Sequence, residues 1–440
     1  MKSSILLPAV FAALLGGMPL PGFSQQAQPA TEEPPLVYEP SGHQAFSLTS
    51  FLGDPMSCVG TIPSFVSANP YTAEDTSCGD GACGCCKGCC RSHDVWGGAE
   101  LFLWWAKGSR TPALVTTSPD GTGPGDAGQL GTAGVDVLAG NEVLGDEIQA
   151  GGRITAGLWL DPNHDVGLGM KFFALEGDDT SRTFGPSNGS GAPGDPILAR
   201  PFFNALLGEE DALLIAFPGF ATGLVNVSSG NSFLAAESYL RIMVERDRNY
   251  RVDLIAGYQF MRLDDRLSIN SFSSNIAGVN FDIADRFNTE NEFHGGQIGL
   301  QGELLRGRWS LNGFAKMAYG VSRQEVQIGG ETIVTIPPAG PLPADPGGLF
   351  AQPSNIGTFS RNRGVFIPEF NINLVYFQTP NLSFSVGYDF IWFSSVVTSG
   401  EQIDRQVNLS QPIGPARPRF DFNDQNYYLQ GLNLGMHWDF

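Results

Sequence analysis

Six of the seven cysteines crowd into one stretch: Cys78, Cys83, Cys85, Cys86, Cys89 and Cys90 lie within thirteen residues, with Cys58 alone upstream. The Cys85-Cys86 and Cys89-Cys90 pairs give C-x-x-C spacing, which suits a tetrahedral Zn2+ or Cu+. In an exported chain, thiols at this density instead staple a short Gly-rich turn as disulfides, within the chain or to another one. Disulfides are the expectation, and the odd total leaves one thiol over. Histidine chemistry is thin. Of the five histidines, His294, near an extracellular strand end beside Glu290 and Glu292, is the one constellation worth naming for a hydrolytic centre. His-Glu-x-x-His and phosphate-cradling Gly-Lys-Ser/Thr motifs do not occur. The expectation is a protein that is not an enzyme and carries no metal or other cofactor.

What these groups can do depends on the elements that hold them. Residues 1–24 start with Lys2, run apolar from Ile5 to Leu15 and end on Gly22-Phe23-Ser24, the plan of a secretory signal peptide. Residues 25–93 read as a Pro-rich, then Cys-rich polar segment that buries no core. A formal charge of −20 disfavours a nucleic-acid partner, because phosphates would be repelled. With 56 Gly and 30 Pro, a helical bundle is disfavoured as well. The chain after residue 24 has no apolar run of about 18 residues to form a spanning helix.

Period-two alternation takes over after residue 94. Leu382, Phe384, Val386, Tyr388, Phe390 and Trp392 fall on one face of a strand; Ser383, Ser385, Gly387 and Asp389 fall on the other. Leu432, Leu434, Met436, Trp438 and Phe440 repeat the pattern at the end of the chain. Candidate strands cover 95–105, 151–160, 165–176, 231–245, 250–270, 290–305, 308–327, 364–378, 381–394 and 426–440. Turns such as 161–164 and 379–380 alternate with long loops at 106–150, 177–230, 271–289, 328–363 and 395–425. Short turns at one end and long loops at the other are the plan of an outer-membrane barrel. The expected fold is all-β: a transmembrane antiparallel up-and-down barrel of about ten strands over 94–440, with extracellular loops and periplasmic turns. The seven Trp are expected near the two headgroup levels, with Trp159 on the inward parity.

That parity also puts Glu100, Arg153, Lys171, Glu237, Arg241, Asp253, Glu303, Lys316, Glu369 and Asp389 on the lumen face. Ten strands leave room for little more than side chains, whereas wide diffusion pores need about 16–18. The expected function is therefore a structural or surface-interaction barrel with a narrow, charge-lined interior. A small-solute porin is the alternative, and an outer-membrane protease using His294 a lesser one. Expected partners are outer-membrane lipid, the barrel assembly machinery, and envelope or surface partners met by the loops and the Cys segment.

Several longer stretches add a resemblance. Leu103-Trp104-Trp105, Leu114 to Pro119, Gly151-Gly152-Arg153, Ala199-Arg200-Pro201-Phe202-Phe203 and His294-Gly295-Gly296-Gln297 are among them. So are Pro353-Ser354-Asn355-Ile356-Gly357, Gln402-Ile403-Asp404-Arg405 and Gly414-Pro415-Ala416-Arg417-Pro418. In these the chain resembles the beta-barrel porin family of planctomycete-type bacterial outer-membrane proteins, from about residue 95 to the end. The resemblance implies an outer-membrane barrel and supplies no catalytic residue.

Overall fold

The computed structural model describes residues 95–185 and 195–439. The expected signal peptide, the 25–93 segment and its cysteines lie outside the described residues.

Ten strands form the wall: β1 Val95–Ala106, β2 Ile148–Trp159, β3 Val166–Phe184, β4 Ala221–Arg246, β5 Tyr250–Asn275, β6 Asn280–Arg306, β7 Trp309–Ile336, β8 Gly357–Thr379, β9 Leu382–Val397 and β10 Asp424–Asp439. Each pairs antiparallel with the next, and β10 returns to β1 in register from Trp96↔Asp439 to Ala106↔Leu429. The ring closes, so the wall presents no open strand edge.

The outer surface explains why these residues make a barrel. Leu101 and Tyr319 are each 70% exposed, and Ile154, Met170, Ile298 and Leu434 are exposed beside them. Such a belt is costly in water and at home among lipid tails. The belt has a clear upper edge. On β5 the outward positions run Leu254, Tyr258 and Phe260, then Arg262, Asp264 and Arg266. On β7 they run Leu311, Met317, Tyr319 and Val321, then Arg323 and Glu325.

Above that edge the wall continues. β4 to β7 have 26 to 28 residues, against the roughly 9–11 needed to cross a bilayer. β1 and β2 have only 12 each. Along the tall strands the alternation inverts its phase: below the edge apolar side chains face out and polar ones in, and above it Leu263, Leu267 and Ile269 face in while Arg262, Arg266, Ser268 and Asn270 face out. The same strand leaves lipid and enters a protein core.

This corrects the loop assignment. Most of the loop expected at 271–289 is strand, and β5 turns into β6 through Ile276 to Val279 alone. The Asn275 side chain accepts the amides of Ala277 and Val279 and makes that turn. Three of the remaining long connections contribute to a second sheet, described below, and the 337–356 connection pairs back onto β7.

At the opposite end the turns are tight. Between β2 and β3, Asp161 accepts backbone amides from Asn163 (3.0 Å), Asp165 (3.1 Å) and Val166 (2.7 Å). Partial burial works against the charge, yet these amides hold the carboxyl below its ordinary pKa. A depressed folded-state pKa means the stabilisation is complete above pH about 4 and is lost as pH falls through the folded value. Asp161→Ala is expected to cost about 1–2 kcal/mol at neutral pH and almost nothing near pH 2. Denaturant midpoints of wild type and variant at the two pH values check this.

The tryptophans are less uniform than the girdle expectation. Trp105, Trp309, Trp392 and Trp438 take outward parity at the two ends. Trp96, Trp104 and Trp159 point inward. Trp104 is fully buried and stacks on Phe102 (4.4 Å between centroids). Trp96 lies over Gly157, the residue opposite it on β2, where any side chain would collide with the indole. Its neighbour inside is Tyr239.

Candidate functional site

The interior is stacked in layers, because inward positions change chemistry at the same steps on neighbouring strands. Nearest the short turns, Trp159 stacks on His164 and lies under the guanidiniums of Arg241 and Arg251. Both arginines donate to Asp253, at 2.5 and 2.8 Å. Glu303 accepts from Ser310 nearby.

The next layer is ionic and almost dry. Arg153 donates through Nε to Glu100 (2.6 Å) and through both terminal nitrogens to Asp389 (3.1 and 3.2 Å). Asn371 and Asn433 complete the shell of Asp389. Across the barrel, Lys316 Nζ sits 2.6 Å from Glu237, 3.0 Å from Glu369 and 2.9 Å from Gln297. Lys171 approaches Glu237 at 3.7 Å, and Gln259 donates to Glu369. The ten lumen charges named from sequence are thus divided among the Asp253 cluster, the Arg153 and Lys316 networks, and Glu303. Carboxylates and cations alternate, so each buried charge meets an opposite one.

One step further toward the loops, every one of these strands except β2 presents an apolar side chain. Phe102 and Trp104 (β1), Phe173 (β3), Phe233 (β4), Met261 and Leu263 (β5), Phe293 (β6), Ala318 (β7), Ile367 (β8), Phe393 (β9) and Tyr427 (β10) form one buried cluster. Phe173 meets Phe233 at 5.5 Å and Phe233 meets Phe393 at 6.0 Å, so rings from opposite walls touch across the lumen. Above the belt lies a ring of buried amides and acids. It contains Gln149, Asn231, Asp265, Asn291 and Gln324.

The loops fill what remains. Loop strands Val115–Thr117, Asp136–Ala139, Leu198–Asn204, Glu209–Ala216 and Gln406–Val407 form a five-stranded sheet. Its Leu114, Val115, Leu198, Phe202 and Ile215 pack on Val225, Leu267, Ile269, Phe287, Val326 and Ile328 of the tall wall.

Polar latches fix this cover. Asp285 of β6 accepts Arg200 Nη2 (2.5 Å) and the amides of Leu349, Phe350 and Ala351 (3.2, 2.9 and 2.7 Å), tying two loops to the wall. Neither Arg200 nor Asp285 is solvent-exposed. Within the wall, Asn291 of β6 exchanges two hydrogen bonds with the backbone of Val397 at the end of β9, both 2.8 Å. Asp265 accepts the amide and hydroxyl of Ser399 at 2.7 and 2.8 Å.

Sequence reasoning missed Asp265, Asp285 and Asn291. The signal was present in the phase inversion, which marks inward positions above the lipid as protein core.

His294 faces outward at the belt edge. Its Nε2 pairs with Glu292 (2.8 Å) and its Nδ1 with the Tyr258 hydroxyl (2.6 Å), while Glu290 binds Arg262. Both ring nitrogens are engaged, by Glu292 and the Tyr258 hydroxyl.

A closed antiparallel ring with a lipid-facing belt, short turns below and long connections above defines an outer-membrane β-barrel. The particular family follows from the chain itself: the model described as Putative beta barrel porin-7 matches residues 96–440, and the chain belongs to that family. No curated protein matches the chain. Among solved structures it is similar to the outer membrane protease OmpT from Escherichia coli, with 12% identity, 79% of this chain and 97% of that one covered, and a TM-score of 0.36. It is also similar to a Pseudomonas aeruginosa FadL homologue (7% identity, 79% and 90% covered, TM-score 0.24) and to the P. putida toluene transporter TodX (7%, 79% and 90%, TM-score 0.16). Likenesses this distant carry no functional weight.

Proposed function

We propose that this protein is a sealed outer-membrane barrel whose task is to anchor and present a folded loop domain at the cell surface. The observation that carries the reading is the aromatic belt, where Phe233 and Phe393 meet from opposite walls across the lumen. A hydrophobic constriction of this kind excludes water and therefore ions. Each cation of the ionic layer beneath it is held by carboxylates of the same layer, so the layer braces the wall rather than selecting a permeant. The loop sheet above, latched at Asp285 and Asp265, is built as a core and not as a mobile lid.

The small-solute porin is the competing reading. Liposomes loaded with the purified barrel and transferred to iso-osmotic arabinose or sucrose test both. Swelling no faster than in protein-free liposomes is expected. Sugar-dependent swelling would overturn the proposal in favour of transport.

A further inference from the structure

The loop sheet carries an open groove of about 520 Å3 between the Leu198–Asn204/Glu209–Ala216 hairpin and the 402–423 loop. This is within the range of about 300–1,000 Å3 typical of ligand clefts. We infer that this groove binds a neutral oligosaccharide. The inference rests on the surface-presentation reading and deepens it, by assigning the chemistry of what the presented domain recognises.

The groove is built from planar charged groups held in pairs. Arg405 donates to Glu210 (2.7 Å), Arg417 to Asp404 (2.7 Å) and Arg419 to Asp421 (2.6 Å). Asp404 is fixed further by the amides of Gln406 and Arg419, both 3.0 Å. The Arg405 carbonyl accepts the Phe203 amide at 2.8 Å, which binds the loop to the hairpin. Arg405 Nε is buried beside the groove and has no partner among the described residues. Guanidinium forks and carboxylates therefore alternate along a rigid surface, with donors and acceptors left over from each pair.

Elimination selects the ligand. An apolar molecule would meet a lining dominated by charged side chains. A cation would meet three guanidiniums. An anionic polymer would meet three carboxylates and the field of a chain with a formal charge of −20. A polyol has no net charge to repel, and its vicinal hydroxyls both donate and accept, matching each arginine–carboxylate pair. Phe203, Ile403 and Pro112 supply apolar spots against which the C–H face of a sugar ring packs.

The test uses the full chain in a sugar-free detergent. Neutral gluco-, manno- and galacto-oligosaccharides, oligogalacturonate, and the saccharide released from the cell's own glycolipid are titrated by calorimetry. Saturable binding of at least one neutral series is expected. Competition by the cell's own saccharide places the ligand in the same membrane, and failure to compete places it outside the cell. The Arg419–Asp421 pair is well exposed (60% and 59%), so Arg419→Ala/Asp421→Asn leaves the fold intact. It should weaken binding about tenfold, the equivalent of one charge-assisted hydrogen bond; Glu210→Gln should do likewise.

Binding of the acidic probe alone, no saturable neutral binding, or undiminished binding in both variants would overturn the site. Liposome swelling keeps the two proposals separable. A barrel that neither swells liposomes nor binds sugar loses the groove and stays sealed. One that does both keeps the groove and loses the seal.

Discussion

Asp285→Ala is expected to free the loop domain while the barrel stays folded. The substitution leaves the Arg200 guanidinium fully buried with its counter-ion gone and three backbone amides without an acceptor. Losing one partner of a buried pair costs about 3–5 kcal/mol, and most of that falls on the two loops that Asp285 ties down. Below the latch, the belt and the ionic layers share no hydrogen bond with it. Limited proteolysis of detergent-solubilised protein should then cut the 195–220 and 337–356 connections in the variant and spare them in wild type. On an unheated gel both proteins should still migrate as folded barrels. Arg200→Met/Asp285→Asn removes the stranded charge and should recover part of the protection. Equal resistance in wild type and Asp285→Ala would show that the loop sheet holds without its latch.

The second large effect lies in the wall. Lys316 is 2% exposed and is the cation shared by Glu237 and Glu369. Lys316→Met would leave Glu369 facing Glu237 across a dry interior with no cation of its own, at a cost of about 3–5 kcal/mol. Here the whole barrel should be destabilised, seen as a lower denaturant midpoint for loss of the unheated folded band. Lys316→Met/Glu369→Gln deletes one charge of each sign and leaves Glu237 its contact with Lys171. The double variant should regain most of the loss, because an apolar or neutral replacement of a buried pair is far cheaper than a broken one. A double variant as weak as the single one would mean that Lys316 acts by packing alone.

The part of this architecture set by lipid was legible in the sequence. Where tails bathe the wall, outward positions must be apolar, and Phe384, Val386 and Tyr388 against Ser383, Ser385 and Gly387 declare both strand and face. The same contrast located Glu100, Arg153, Glu237, Lys316 and Asp389 on inward positions. Above the bilayer the rule reverses. Arg262, Asp264 and Arg266 on the outside of β5 look like the start of a loop when lipid is the only solvent considered, although Leu263 and Leu267 continue the alternation inward. The lipid rule alone therefore shortens the tall wall and turns the β5–β6 connection into a long loop.

The loop domain was hidden for a different reason. Its sheet joins Val115–Thr117, Leu198–Asn204 and Gln406–Val407, segments about 80 and 200 residues apart whose pairing no local period reports. The motifs around Arg200 and Asp404 stood out as stretches, but nothing in them named Asp285 or Glu210 as partners. Trp96 and Trp104 went inward because the narrow interior needs large side chains to close it. Girdle placement accounts only for the indoles at the wall ends with outward parity.

Single-channel recording from the pure protein in a planar bilayer bears most directly on the claim that the interior is shut. The layered belt and ionic rings predict a flat trace at moderate voltage for wild type, and for Asp285→Ala as well, since the belt closes the barrel below the latch. Steady, ohmic steps from wild-type protein, repeated across preparations, would contradict the account and return the barrel to the class of open pores.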